Sequence, residues 1–123
     1  MGLRIDTISI GPGIVVVLLS GSATRCPESS GDELFIQHLL KRGERKLIID
    51  LTGVGHMDSS GAQMMYACYS AARVAGGEVR FVGANAKVAR LFEITRLDLV
   101  LPFYPTVAAA RENFVLQQKM RGS

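Results

Sequence analysis

The chain has 123 residues, a length typical of a single domain and sufficient to bury one hydrophobic core. Its composition, 48% hydrophobic and 20% charged, is that of an ordinary globular protein, and the longest apolar run, Ile14 to Leu19, is far shorter than the ~20 residues of a membrane span. The formal net charge of +3 includes Lys119 and Arg121 near the C-terminus, so the domain itself is nearly neutral and nucleic acid is a poor candidate for its partner.

The first third of the chain predicts a hairpin followed by a helix. Arg4 to Ile10 alternates polar and apolar residues, as a half-buried strand does, and the β-branched run from Ile14 to Leu19 predicts its partner across a Gly-Pro-Gly turn. The Ser- and Gly-rich stretch from Ser20 to Arg25 predicts a loop. A helix is predicted over residues 28–42, with Gly43 ending it.

The middle of the chain predicts a buried strand, a turn and a helix of small residues. Lys46 to Thr52 is an apolar run typical of a strand covered on both faces. After the turn, a helix is predicted from about Ser60 to Ala75, ending at Gly76-Gly77. The residues at helical spacing that are predicted to face the core are Gly61, Met64, Met65, Cys68, Ala71, Ala72 and Ala75. The residues predicted to face outward are Gln63, Tyr66, Ala67, Ser70 and Val74.

The last third predicts two strands, each followed by a helix. Glu78 to Val82 is a strand pattern, and Asn85 is suited to cap a helix over residues 86–94. Leu99 to Leu101 predicts a short strand, and a last helix is predicted over residues 105–118.

This alternation of elements predicts a single α/β domain over residues 1–118, with residues 119–123 as a frayed basic tail. We expect a mixed, mostly parallel β-sheet with an N-terminal hairpin and about four packed α-helices.

The sequence Asp58-Ser59-Ser60-Gly61, at the predicted strand-to-helix junction, is the main candidate site. The first N–H groups of a helix lack intrahelical partners and favour an anion, and Ser and Asp are the residue types that cap such an end. The same geometry is a good seat for a phosphate. The motif therefore indicates either a capping turn or a regulated phosphoacceptor serine.

The chain lacks a recognisable set of catalytic or metal-binding residues. Met57 stands where a nucleophile elbow around Ser59 would need glycine, and His56 is better explained as a loop residue than as a general base. The histidines and cysteines are too scattered for a zinc site, and Cys68 is predicted to be a small core residue. We therefore expect no cofactor, no metal and no enzymatic activity.

The segment Leu47 to Gly61, followed by Gly76-Gly77-Glu78 and by Val88-Ala89-Arg90-Leu91-Phe92, resembles the anti-sigma factor antagonist family, the STAS domain. The resemblance covers about residues 3 to 114. In bacterial members of this family, a partner that is both anti-sigma factor and ATP-dependent serine kinase phosphorylates the first serine of the motif, and a PP2C-type phosphatase removes the phosphate.

By position, the resemblance makes Ser59 the phosphorylation site, with Asp58, Ser60 and Gly61 around it and Ser60 capping the helix behind it. It implies an antagonist that binds its anti-sigma factor when unphosphorylated, is released by phosphorylation, and so regulates sigma-factor-dependent transcription. The residues expected to contact the partner are His56, Met57, Gln63, Tyr66 and Ala67. We expect a cytoplasmic protein without membrane insertion, and the sequence leaves a homodimer open.

Three positions depart from the family pattern. Gly21-Ser22-Ala23-Thr24 stands where many members carry an acidic loop that contacts the kinase. His56 stands where a large apolar residue is common, and Arg96 replaces a glycine within Thr95-Arg96-Leu97. The missing acids keep a second interpretation open: a non-switching adaptor or scaffold, such as a stressosome-like component or a soluble subunit of a lipid or anion transport system. A hydrolase using either serine would lack an identifiable base and oxyanion hole.

Overall fold

The computed structural model describes residues 3–11, 13–23, 36, 38–112 and 114. Its strands are β1 (Leu3–Gly11), β2 (Ile14–Ala23), β3 (Lys46–Met57), β4 (Glu78–Val82) and β5 (Phe103–Tyr104). Its helices are α1 (Ser59–Val74) and α2 (Ala86–Ile94), with a 3-10 turn at Leu97–Leu99. Residues 38–41 and 107–112 are also helical. The predicted helix residues 28–35 and 37, Cys26, residues 115–118 and the tail lie outside the described part.

The described strands form one sheet in the order β1-β2-β3-β4-β5. β1 pairs with β2 antiparallel, and every other neighbouring pair is parallel. The predicted mixed, mostly parallel sheet with an N-terminal hairpin is therefore confirmed. Because each parallel connection advances one strand in the same direction and such crossovers share one hand, the connecting helices lie on the same face of the sheet.

The face under the connecting helices carries the larger of the two described core clusters. Side chains from alternate positions of the sheet, such as Val17 and Ile49, pack there against Met65, Cys68 and Phe92 of the helices. The burial of Cys68 confirms that it is a core residue.

The opposite face of the sheet is covered by the helical residues 107–112 and 114. Ile14, Val16 and Ile48 alternate with the residues of the first cluster and pack with Ala110 and Phe114. Burial on both faces explains why the strands show continuous apolar runs rather than alternating ones.

Arg80 is a buried charge on this second face, and no local sequence pattern indicates its burial. Arg80 is only 3% exposed, and its guanidinium donates to Glu78 Oε1 at 3.1 Å and to the Tyr104 hydroxyl. The guanidinium carbon lies 4.2 Å from the centroid of the Phe114 ring. Burial of a charge at this position is tolerated because a carboxylate, a hydroxyl and an aromatic face surround it.

Two strands are longer than predicted. β2 continues through Ala23 and β3 through Met57, and their extensions pair with each other, so the loop predicted to begin at Ser20 is wrong over residues 20–23. The pairing overrides the weak strand preference of Ser and Gly residues. Gly53 allows the close approach, since a Cβ there would lie 2.7 Å from the Cβ of Ser20.

The prediction of a short strand over Leu99 to Leu101 is also wrong. Residues Leu97–Leu99 form a 3-10 turn, and β5 lies beyond Pro102, where Phe103 pairs with Phe81 and Tyr104 with Val82. The apolar run at residues 99–101 is only partly buried: Leu101 is in the core, whereas Leu99 is 76% exposed. The run therefore supplies one core contact rather than a strand.

Candidate functional site

The extension of β3 carries the Asp58–Gly61 turn beyond the end of β4. The last pair between these strands joins Asp50 to Val82, so the later residues of β3 pair with β2 alone. Asn85 holds this extension from the other side, since its Nδ2 donates to the carbonyl oxygen of Val54 at 3.0 Å. Its Oδ1 accepts from Val88 N at 2.9 Å, which confirms its predicted role as the cap of α2. No sequence pattern predicted the hydrogen bond from Asn85 to Val54 of β3.

Asp58 is the residue that caps α1. Its Oδ1 accepts from Gly61 N at 3.1 Å, and its own carbonyl accepts from Ala62 N at 3.0 Å to begin the helix. The expectation that Ser60 caps the helix is therefore wrong. A carboxylate one residue before the first helical turn reaches the third amide of the helix, and Ser59 and Ser60 become its first two residues.

Both serines of the motif are exposed, whereas Gly61 is buried against the domain. As the first residue of α1, Ser59 lies beside an end of the helix that already holds one carboxylate, that of Asp58. The turn therefore presents a hydroxyl to solvent next to a fixed negative charge.

The outward face of α1 continues from this turn. Gln63 and Tyr66 are exposed as predicted, and Val74 is 89% exposed. The Tyr66 and Tyr69 ring centroids lie 6.4 Å apart, and the Arg73 guanidinium lies 5.7 Å from the Tyr69 ring. These contacts join the exposed Tyr66 to Tyr69, which packs partly against the larger core cluster. Helical spacing alone did not predict these contacts, because Tyr69 is half-buried and belongs to neither of the two predicted faces.

The remaining predicted partner residues are His56 and Met57, at the end of β3, and Ala67, in the middle of α1. His56 is exposed, while Ala67 is half-buried and Met57 packs partly against the larger core cluster. Ala75, predicted to be buried, is exposed because α1 ends at Val74.

The tip of β2 lies beside the turn. Ser22 pairs with His56 and Ala23 with Met57. The segment in which the family commonly carries acidic residues is therefore adjacent to the turn, and its described residues are uncharged. Any partner that covers Ser59 from this side meets serine, glycine and histidine rather than carboxylates.

Asp50 belongs to a separate local structure. Its Oδ1 accepts from Thr52 N at 2.9 Å and from Thr52 Oγ1 at 2.6 Å, so both residues are engaged within β3. Within the described residues, no group of three or more His, Cys, Asp or Glu side chains is arranged to hold a metal ion.

None of the helices in the part of the chain that the structure describes is long and apolar enough to cross a membrane.

A family model of the STAS domain matches residues 10–110 of the chain. No curated protein matches the sequence at a significant level.

Several solved structures are similar in fold. An anti-sigma factor antagonist from Mycobacterium paratuberculosis is 24% identical, with a TM-score of 0.75 over 90% of this chain and 92% of that chain. RsbS from Moorella thermoacetica, solved with a serine-to-glutamate substitution, is 15% identical, with a TM-score of 0.73 over 94% and 98% of the two chains. The Bacillus cell fate determinant SpoIIAA in its phosphorylated form is 15% identical, with a TM-score of 0.67 over 90% and 99%. At these identities the similarity establishes a shared fold.

Proposed function

The chain belongs to the STAS domain family, and we propose that it is an anti-sigma factor antagonist whose binding to its partner is switched by phosphorylation of Ser59. The unphosphorylated domain binds an anti-sigma factor that is also its serine kinase, and a PP2C-type phosphatase restores this state. The role is regulatory and not enzymatic, and its output is sigma-factor-dependent transcription.

One observation carries the proposal: the Ser59 hydroxyl is exposed at the first residue of α1 and has no part in the cap. A serine that capped the helix would be needed for stability, and its hydroxyl would be held by the backbone. Because Asp58 takes that role, Ser59 is available for modification at little structural cost.

Phosphorylation is expected to act at the interface rather than inside the fold. A phosphate adds about −1.5 to −2 charges next to Asp58. The end of a helix favours an anion by about 0.3–1 kcal/mol, which offsets part of the repulsion within the free domain. Against a partner surface, a buried charge without a counter-ion costs about 2–5 kcal/mol. That cost corresponds to a loss of affinity of roughly thirtyfold to several thousandfold.

The surface available to the partner is the turn together with the outward face of α1. Between Ser59 and Val74 the only charged residue is Arg73, and the exposed residues are mainly Ser, Gln and Tyr. Tyrosine is typical of the central contacts of protein interfaces. A tyrosine-containing surface with one charged residue, bordered by the exposed Ser59 and Ser60, is suited to a switch based on charge.

The direct test is to incubate the chain with its captured kinase partner and ATP, and to map the phosphate by mass spectrometry. We expect the phosphate on Ser59 in the wild type and in Ser60→Ala, and none in Ser59→Ala. Phosphate found on Ser60 alone, or equal labelling of the Ser59→Ala variant, would overturn the assignment.

A second candidate function is favoured by the uncharged tip of β2, because that tip lacks the acids that the family commonly offers to the kinase. In that case the domain is a non-switching adaptor or scaffold. The two functions differ in one outcome: an adaptor captures the same partner from native cytoplasm whether position 59 carries Ala or Asp, whereas the switch loses its partner with Asp.

A further inference from the structure

β1 is a long edge strand with an exposed surface. Among the described strands it pairs with β2 alone, and it has nine residues, whereas β5 at the other edge of the sheet has only two. Arg4 and the four residues from Asp6 to Ser9 are exposed, and the exposed fraction of Ile8 is 51%. The outer side of an edge strand presents backbone N–H and C=O groups that can pair with another strand. β1 is therefore the edge at which this sheet can be extended.

The side chains of β1 divide between the two faces of the sheet. Ile5 packs against the larger core cluster, on the face that carries α1 and α2. Successive residues of a strand point to opposite faces, so Arg4, Asp6 and Ile8 share the other face. Arg4 Nε lies 3.3 Å from Asp6 Oδ2, as this shared face allows. These two side chains are 79% and 57% exposed, and an ion pair in solvent is weak, so both charges remain able to interact with a second chain.

We propose that β1 pairs antiparallel with β1 of a second copy of this chain, in a register centred on Ile5. A positive and a negative residue two positions apart on one face make a strand complementary to itself when the two copies run antiparallel. In this register Arg4 lies opposite the partner's Asp6, and Asp6 lies opposite the partner's Arg4. Opposite charges directly across an antiparallel pair of strands stabilise it. The resulting interface has two-fold symmetry, the commonest symmetry of homo-oligomers.

Charge distinguishes this register from its neighbours. A pair centred on Arg4 or on Asp6 would place two like charges opposite each other, which is destabilising. In a pair centred on Thr7, Asp6 would lie opposite Ile8. Arg4 would then lie opposite Ile10, so neither charge would face a counter-ion across the strands. Parallel pairing in register would place Arg4 opposite Arg4. Of these arrangements, the proposed one alone pairs both charges.

The dimer is expected to be weak. Pairing over a few residues of one strand buries less surface than the ~800 Å² per partner of a stable interface, so the dimer should form reversibly and only at high protein concentration. The inference is independent of the switch at Ser59, because β2 separates β1 from β3 and from the turn that follows β3.

The test is sedimentation equilibrium of the complete chain and of charge-reversal variants. We expect the wild type to dimerise at concentrations up to about 1 mM, where weak interfaces are populated. Arg4→Asp and Asp6→Arg each place like charges across the strand pair twice in the dimer, and each should weaken self-association about tenfold. An equimolar mixture of the two variants restores opposite charges at both positions, so it should dimerise about as tightly as the wild type.

A matched pair of variants separates strand pairing from general electrostatics. Lys87→Asp and Glu93→Arg make the same charge changes at exposed positions of α2, and each should dimerise as the wild type does. Dimerisation in the mixture of Arg4→Asp and Asp6→Arg would also show that both variants are folded.

Cysteine cross-linking tests the register. Residues at the centre of an antiparallel pair face each other with about 4.5–5.5 Å between their Cα atoms, which is within the range of a disulfide. In a chain carrying Cys26→Ser, oxidation should therefore cross-link two copies through Ile5→Cys and much less through Thr7→Cys.

Three results would overturn the proposal. The first is a wild type that stays monomeric at about 1 mM. The second is a mixture of Arg4→Asp and Asp6→Arg that associates no more tightly than either variant alone. The third is cross-linking through Thr7→Cys that equals or exceeds that through Ile5→Cys. Equal capture of a partner by Ser59→Ala and Ser59→Asp would refute the switch and leave all three measurements unaffected.

Discussion

The helices α1 and α2 are capped in the same way at both ends, but by different residues. At their starts, Asp58 and Asn85 each accept a hydrogen bond from the amide three residues on, at 3.1 and 2.9 Å. After their ends, Gly76 and Arg96 both adopt left-handed backbone conformations, with φ of +85° and +64°. Because α2 has the same capping arrangement as α1, a capping turn alone does not indicate a functional site.

The two helices differ in the residues of their first turns. α1 begins with two exposed serines, whereas α2 begins with Ala86 and Lys87. Asn85, the cap of α2, also links this helix to β3, because its side chain donates a hydrogen bond to the carbonyl of Val54. We therefore assign stability to the cap of each helix, and we propose that regulation acts at Ser59. Substitutions at the caps, at the helix ends and at the serines test this division.

Asn85→Ala is expected to have the largest effect on stability. It removes the cap of α2, worth about 1 kcal/mol, and leaves the Val54 carbonyl without this donor. The free energy of unfolding, measured by urea denaturation, should fall by about 2–3 kcal/mol. Asn85→Asp keeps the cap but cannot donate, so it should lose only the part due to Val54. A loss below about 0.5 kcal/mol in the alanine variant would show that the hydrogen bonds of Asn85 to Val54 and Val88 do not stabilise the fold.

Asp58→Ala removes the cap of α1, which Asp58 makes through Gly61 N, and should have a smaller effect than Asn85→Ala. We expect the free energy of unfolding to fall by about 1 kcal/mol. Asp58→Asn retains an acceptor and should cost only a few tenths of a kcal/mol, roughly the span between good capping residues. If the asparagine variant is as unstable as the alanine variant, the charge rather than the cap is what stabilises this turn.

Arg96→Gly should stabilise the domain. Arg96 has the only positive φ among the described residues other than glycine, and a left-handed conformation costs such a residue about 1–2 kcal/mol. The larger backbone entropy of glycine in the unfolded chain cancels part of the gain, leaving about 0.5–1 kcal/mol in the free energy of unfolding. The matched change at the end of α1, Gly76→Ala, should destabilise by about 1 kcal/mol. Loss of stability in Arg96→Gly would reveal a stabilising contact of the arginine side chain.

Ser59→Ala should have the smallest effect on stability, within about 0.5 kcal/mol, because the side chain is exposed and does not cap α1. Ser60→Ala should behave in the same way. Urea denaturation of both variants checks this. A loss of more than about 1 kcal/mol in the free energy of unfolding of either variant would show that this serine helps to cap α1. That result would weaken its assignment as a residue free for modification.

Much of the fold is specified by local sequence patterns. The bounds of β4 and α2 match the predictions, because Glu78 to Val82 is a short apolar strand pattern between glycines and Asn85 is a strong capping residue. The end of α1 at Gly76-Gly77 is also a local signal: Gly77 N donates to the carbonyl of Ala72 at 2.7 Å, as expected of a glycine-terminated helix.

The features that sequence patterns missed depend on long-range contacts. Residues Gly53 to Met57 have poor strand preference, and they are extended because β2 pairs with them. The burial of Arg80 depends on Tyr104 and Phe114, which are distant in the sequence. The second hydrogen bond of Asn85 reaches a strand thirty-one residues away.

The motif identified the candidate site but not the roles within it. Asp58 and Ser60 are both capping residue types, and which of them caps α1 depends on where the extended β3 delivers the chain. Once β3 is known to continue through Met57, the next residue occupies the capping position. The exposure of Ser59 is a consequence of that register.

Our central proposal is that a negative charge on Ser59 expels a protein partner. It is tested by comparing the dissociation constants of the anti-sigma partner for the Ser60→Ala chain before and after stoichiometric phosphorylation. We expect phosphorylation to weaken binding by roughly thirtyfold to several thousandfold, while Ser59→Ala binds as tightly as the unmodified chain. Equal dissociation constants for the phosphorylated and unphosphorylated chains would show that the charge on Ser59 does not control binding.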